Sequence, residues 1–324
     1  MPKELKPTIV VSRCLGFENC RWNGVTVNDP FVERLKPFVK FITVCPEMEI
    51  GLGTPRPPIR IVQVNKEERL VQPETGRDIT KQMVKFSDTF LSGLENVDGF
   101  ILKFRSPSCG LFGIKVFPGI EKCSPCATTR GFFGREVLER FPGIPIEDEG
   151  RLLNFRIREH FLTRAFMLAR FRAVIRSRQM KELLRFHSEN KLLLMAYNQR
   201  ELNELGRICA RGSKKTAKEV IAEYHPHLKT AMNRAPRHST YINVIQHILG
   251  YFSRDLTTQE RSYLINLLDQ LRAEKIPLSV PISLVRSWVL RFQQEYLMPQ
   301  TIFEPYPLEL VEISDSGQGR DLKR

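Results

Sequence analysis

The 324-residue sequence contains no apolar run of about eighteen residues, so no helical membrane span is expected. Its first residues, Met1-Pro2-Lys3-Glu4-Leu5-Lys6, lack the apolar core of a secretory signal, and a cytoplasmic, reducing setting is expected. In that setting the seven cysteines (14, 20, 45, 109, 123, 126 and 209) read as metal ligands or catalytic thiols, not as a disulfide framework. No glycine-rich dinucleotide fingerprint follows the first apolar strand, which argues against a nicotinamide cofactor. Cys123-Ser124-Pro125-Cys126 has no second C-x-x-C and no suitably spaced histidine pair to complete four zinc ligands. The histidines at 187, 225, 227, 238 and 247 form no metal spacing, and His225-Pro226-His227 reads as a turn. No repeat of fixed period is present.

What is there centres on Ile101 to Gly110. An apolar strand over Gly99–Phe104 stops at Ser106-Pro107, because proline cannot donate to a sheet ladder. The chain then turns through small residues and presents Cys109 before Gly110. Two other stretches repeat this plan: Thr8–Ser12 leads to Cys14, and Phe41–Val44 leads to Cys45-Pro46-Glu47. A single cysteine in such a place is most simply core filler. Three in the same position at strand ends point to one edge of a parallel sheet, where α/β folds place ligands.

Between these strands, Asp29 or Asn28 caps a short helix with Pro30 in its first turn. Gly51 to Pro58 reads as a rigid loop over the site, carrying Arg56. A hairpin is expected over Arg60–Val64 and Arg69–Val71, a helix over Asp78–Leu94, a strand over Ile114–Phe117 and a helix over Gly131–Phe141. From Leu152 the periodicity is helical, with helices over about 155–175, 179–197, 199–210, 216–233, 240–253, 257–275 and 282–296. Thr257 and Glu260 have capping-box spacing. The expected fold has two domains: an N-terminal α/β Rossmann-like, mostly parallel sheet over 1–152, and a C-terminal all-α domain over 153–312. A disordered tail is expected over 313–324.

Charge separates the halves. Residues 1–150 carry 21 basic and 19 acidic side chains, whereas 151–324 carry 29 and 17. A surplus confined to the helical half suits a polyanion, RNA first, because phosphate neutralisation drives such binding. Lys214, Lys215, Arg234 and Arg237 stand in loops and are the candidate RNA contacts.

Three thiolates could hold zinc, with Glu47 or water completing the site, or a 4Fe–4S cluster with one iron left open. Cys20 could close either arrangement. Spacing alone does not separate them.

Val-Ser-x-Cys-Leu at 11–15, Cys-Pro-Glu at 45–47 and Lys-x-x-Ser-Pro-Ser-Cys-Gly at 103–110 resemble the TudS-type thiouracil desulfidase family. The helical half resembles the YbgA-like domain fused to it in many bacterial proteins. The stretches that carry this likeness are 186–196, Glu-Leu-Gly-Arg at 204–207 and 243–252. Where the desulfidases usually read Arg-Tyr-Asp-Gly, this chain has Arg21-Trp22-Asn23-Gly24, and 118–130 is also unlike the pattern. The resemblance implies a 4Fe–4S cluster bound by Cys14, Cys45 and Cys109 with one open iron. It also implies catalysis by Glu47 as general base and Ser106 as proton-positioning hydroxyl. The implied substrate is a thiolated uracil, 4-thiouridine in tRNA, hydrolysed to uridine and hydrosulfide. The competing readings are a zinc-dependent RNA-processing hydrolase and a non-catalytic RNA-binding redox sensor. The oligomeric state is not legible.

Overall fold

A computed structural model of the protein describes residues 6–121, 123–211 and 215–312. In chain order the first part contains β1 (Thr8–Ser12), α1 (Pro30–Leu35), β2 (Lys40–Val44), α2 (Pro46–Glu49), β3 (Arg60–Val64), β4 (Glu67–Gln72), β5 (Arg77–Asp78), α3 (Thr80–Ser92), β6 (Gly99–Leu102), β7 (Ile114–Phe117), β8 (Ala127–Thr129), α4 (Phe132–Arg140) and β9 (Ile146–Asp148). The helices α5 (Phe155–Ser177), α6 (Met180–Tyr197), α7 (Gln199–Ala210), α8 (Ala217–Ala231), α9 (His238–Gly250), α10 (Thr258–Arg272) and α11 (Ser279–Arg291) follow. The chain divides into two compact units, Met1–Ala169 with Glu309–Arg324, and Arg170–Leu308. The change of unit falls inside α5, whereas the boundary expected at 152/153 lies just before that helix. The tail expected at 313–324 lies outside the described residues.

In the first unit a fully parallel sheet has the order β2-β1-β6-β9. β1 is β-branched from Thr8 to Val11 and buried at every residue, as a central parallel strand covered on both faces must be. β2, with Lys40 exposed, takes an edge. Asp29 caps α1 by accepting the Val32 N–H at 2.9 Å. β9 escapes a sequence reading because it is three residues long and carries Glu147 and Asp148.

The expected hairpin forms a second sheet, ordered β5-β4-β3-β7-β8. β3 and β4 are joined through Asn65 and Lys66, both with positive φ (51° and 67°), the backbone of a tight hairpin turn. The strand at Ile114–Phe117 belongs to this sheet, parallel to β3.

In the second unit, α7 occupies the residues expected of it. Thr257 and Glu260 form a complete capping box at α10, and Thr216 and Glu219 form another at α8. His225-Pro226-His227 is not a turn: it lies inside α8. Burial of Tyr224 and Leu228 on either side carries the helix through the proline. Each histidine also has a partner: His225 packs on the Phe171 ring (5.3 Å), and His227 Nδ1 lies 2.8 Å from Glu201. Among the described residues no helix is long and apolar enough to cross a membrane.

Candidate active site

The strand order creates the site. The chain goes from β1 to β2 on one side, then crosses to β6 on the other, so a crevice opens at the carboxyl ends of β1 and β6. Register aligns Ser12 with Val44 and Val11 with Ile101, which brings the three strand exits level. A cleft of about 300 Å³ sits there, lined by Cys14, Cys20, Cys45 and Cys109 among others. All four are free and buried. Cys14, Cys20 and Cys45 pack as one group with Met48 against them. Cys20 is wholly enclosed and joins the three cysteines expected at this edge.

The thiols affect one another electrostatically. Burial pushes Cys109 up to about 12. Hydrogen bonding with Cys14 pushes Cys20 up to about 11, and the bond with Cys20, then burial, raises Cys45. Gathered thiolates repel in a poorly solvated pocket, and a soft cation among them reverses that balance. Sulfur donors of this kind suit iron–sulfur clusters and zinc. Among the described residues no three His, Cys, Asp or Glu side chains are arranged as a set of ligands for a metal ion.

Glu47, in α2, is held from two directions. Ser108 Oγ donates to Oε1 at 2.6 Å, and Arg56 grips Oε2 through Nε (2.9 Å) and Nη2 (2.7 Å). The Arg56 side chain is only 3% exposed and that of Glu47 13%, so the ion pair is largely withdrawn from water. Arg56 is itself fixed, with Nη1 on the Gly53 carbonyl (2.6 Å) and its backbone N–H on Trp22 O (2.8 Å). Ser106 stands one step away: its hydroxyl accepts the Cys109 N–H (3.1 Å) and Ser108 N–H (3.3 Å) and bonds Ser108 Oγ at 2.9 Å.

The cysteine turn is seated by α4. Phe133 and Gly134 donate their N–H groups to Ser108 O (2.9 and 3.0 Å), and Phe132 donates to Pro107 O (3.1 Å). A helix start has unpaired N–H groups, and here the carbonyls of the cysteine loop take them. The approach requires Gly134, because a Cβ there would lie 2.7 Å from the Cys109 and Gly110 carbonyl oxygens. On the β1 side, Ser12 Oγ accepts the Lys103 N–H at 2.9 Å and hydrogen-bonds the Cys109 thiol. Lys103 is ion-paired with Glu149, which also accepts the Phe104 N–H at 2.7 Å.

Sequence reasoning located Cys14, Cys45, Cys109, Glu47 and Ser106, and the structure lines one cleft with all five. It missed Ser108, the hydroxyl that touches Glu47, although Ser108 adjoins Cys109. It also missed Ser12 as a site residue, although Ser12 ends β1 and lies in the Val-Ser-x-Cys-Leu stretch. Cys123 and Cys126 do not line the cleft. Of the candidate RNA contacts, Lys215 is paired with Glu223 (2.6 Å) before α8, and Arg234 and Arg237 are exposed beyond its other end. Lys214 lies outside the described residues.

Fold and cleft thus define an α/β protein with a thiol centre at its switch point, beside an ordered carboxylate. The family model described as 2-thiouracil desulfurase matches residues 9–149, which contain every residue lining the cleft. Residues 191–307 match a family described as a protein of unknown function, DUF1722. The uncharacterized protein YbbK of Bacillus subtilis (strain 168) is 33% identical over 109 residues, which is 32% of this chain and 72% of YbbK. The uncharacterized protein YbgA of Escherichia coli (strain K12) is 25% identical over 163 residues, 50% of this chain and 86% of YbgA. A solved structure of the 4Fe–4S-dependent thiouracil desulfidase TudS is 26% identical; the match covers 45% of this chain and 93% of that one, with a TM-score of 0.36. The chain belongs to the 2-thiouracil desulfurase family, with a YbgA-like region fused behind that part.

Proposed function

We propose that this protein is an iron–sulfur desulfidase that removes sulfur from 4-thiouridine in tRNA, giving uridine and hydrosulfide. The observation that carries the reading is the meeting of three buried cysteines and a doubly held carboxylate in one cleft. Cys14, Cys45 and Cys109 would hold a 4Fe–4S cluster. When bound, its iron without a protein ligand supplies a soft Lewis acid that makes sulfur the leaving atom. The donor set fits: the three cysteines are soft, buried and free of disulfides, and they line one cleft.

The residues of the chain do the rest. Glu47 takes a proton from water, whose oxygen forms the new bond to C4 as the carbon–sulfur bond breaks. Arg56 occupies Oε2 and Ser108 addresses Oε1, so Glu47 has one defined orientation as base. Ser106 holds the turn and reaches the proton path through Ser108. The basic helical half would supply the phosphate contacts that bring tRNA to the cleft.

The test is anaerobic purification with iron, sulfide and zinc assays and a visible spectrum, followed by thiolated tRNA. The expected result is brown protein with about four irons per chain. Cys14, Cys45 or Cys109 variants should lose the colour, and Cys123 and Cys126 variants should keep it. Hydrosulfide release should cease in Glu47→Ala with the spectrum intact. Colourless, zinc-loaded protein would overturn this reading in favour of a zinc hydrolase. Coloured protein that binds tRNA without releasing hydrosulfide would favour a sensor.

A further inference from the structure

Helix α7 carries a glycine in its interior that the fold does not call for. Gly206 has no left-handed φ, and a Cβ built on it would meet only His187 Nε2, 3.8 Å away, an ordinary contact. An interior glycine weakens a helix relative to alanine, so a reason outside the fold is indicated. Its position is accessible, because Gly206 is part-exposed.

His187, on α6, is fixed beside that glycine. Its Nδ1 lies 3.0 Å from the hydroxyl of Tyr224, and the two rings meet edge to face. Tyr224 is completely buried, so the imidazole is oriented by an immobile partner while Nε2 stays beside the bare helix backbone. With Nδ1 accepting from the tyrosine, a neutral imidazole carries its proton on Nε2 and presents a donor. The two stretches that mark the helical half, 186–196 and 204–207, therefore meet at this one point.

The surroundings are basic. Lys191 stands one turn beyond His187 and is exposed; Arg200 and Arg207 are exposed on α7. Arg207 is paired with Glu204 at 3.0 Å, an exposed pair that anionic competitors can open. Residues 170–308 contain 22 basic and 12 acidic side chains. A donor beside part-exposed backbone, on a surface rich in basic side chains, matches a sugar–phosphate chain, which offers acceptors, negative charge and a narrow profile.

We propose that His187, Lys191 and the bare backbone at Gly206 form a docking point for the sugar–phosphate backbone of RNA. This rests on the reading that the helical half binds RNA. His187 Nε2 donates to a phosphate oxygen or ribose hydroxyl, Lys191 neutralises a phosphate, and Gly206 leaves room for the ribose to lie against the helix.

The test measures binding of an unmodified tRNA transcript to the full-length, anaerobically purified protein across a salt series. Gly206→Ala should weaken binding about five- to tenfold while the unfolding temperature stays level or rises. His187→Ala should weaken it similarly, and His187→Gln should recover part of the loss because it retains a donor. Lys191→Ala should weaken binding and lower the salt slope by about one. Wild-type binding matched by both Gly206→Ala and Lys191→Ala would overturn the docking point and leave the RNA reading standing. Absence of tRNA binding by the wild type at low salt would overturn both.

Discussion

Ser108 Oγ lies 2.6 Å from Glu47 Oε1, and this bond joins the cysteine turn after β6 to the helix after β2. It divides the work of the two serines. Ser108→Ala should leave the fold and metal content unchanged and lower turnover on the order of 10- to 100-fold, the worth of a hydrogen bond to a charged group. Ser106→Ala should act on the turn, because two backbone N–H groups lose their acceptor. Its unfolding free energy should fall by about 1–3 kcal/mol, and cluster retention should fall with it. Iron content and turnover measured side by side in the two variants separate the roles.

Arg56 and Glu47 form a pair that is nearly dry. Removing one member of such a pair leaves the other charged and unsolvated. Arg56→Ala should therefore cost about 3–5 kcal/mol of stability in denaturant titrations. Arg56→Lys keeps the charge but not the two parallel N–H donors to Oε2, and should recover stability better than turnover. Equal recovery of both would show that charge alone orders Glu47.

Gly134 is where α4 meets the backbone of the cysteine turn. Gly134→Ala should displace Cys109, lowering stability by about 1–3 kcal/mol and reducing bound iron. Gly119→Ala is the matched control, because nothing lies within 4 Å of the Cβ it would add. Iron retained in Gly134→Ala at the wild-type level would mean that the turn accommodates the methyl group without moving the thiol.

Much of this was legible in the sequence because the signals were local. Strand, stop and cysteine recur within a few residues at Cys14, Cys45 and Cys109, and parallel pairing makes that recurrence a site. Asp29-Pro30 and Thr257-x-x-Glu260 announce helix starts by chemistry that acts over four residues. What was not legible depends on distant partners. Ser108 acquires its role only when Glu47 is 2.6 Å away, and Gly134 only when the Cys109 carbonyl arrives. Pro226 reads as a helix breaker until Tyr224 and Leu228 are seen buried on either side of it. The second sheet depends on β3 pairing with β7, some fifty residues on, which periodicity does not encode.

Asp148, at the carboxyl end of β9, is 1% exposed, and burial raises its carboxyl to about 6. The folded protein thus binds this proton more tightly than the unfolded chain does. A raised carboxyl favours folding while it is protonated. Stability should therefore fall as pH rises from about 4 to 6 and level off above that. The shift corresponds to roughly 2–3 kcal/mol. Asp148 Oδ1 accepts the Arg151 N–H at 2.8 Å, and an asparagine carbonyl can do the same without charge. Asp148→Asn should therefore lose this part of the pH dependence and match or exceed the wild type at pH 7. Neighbouring Glu147 is also raised by burial and stays in both proteins, so the difference between their unfolding curves from pH 4 to 7 isolates Asp148. A difference that does not change across that range would mean that Asp148 stays ionised in the folded protein, held by the Arg151 amide and guanidinium against the cost of burial.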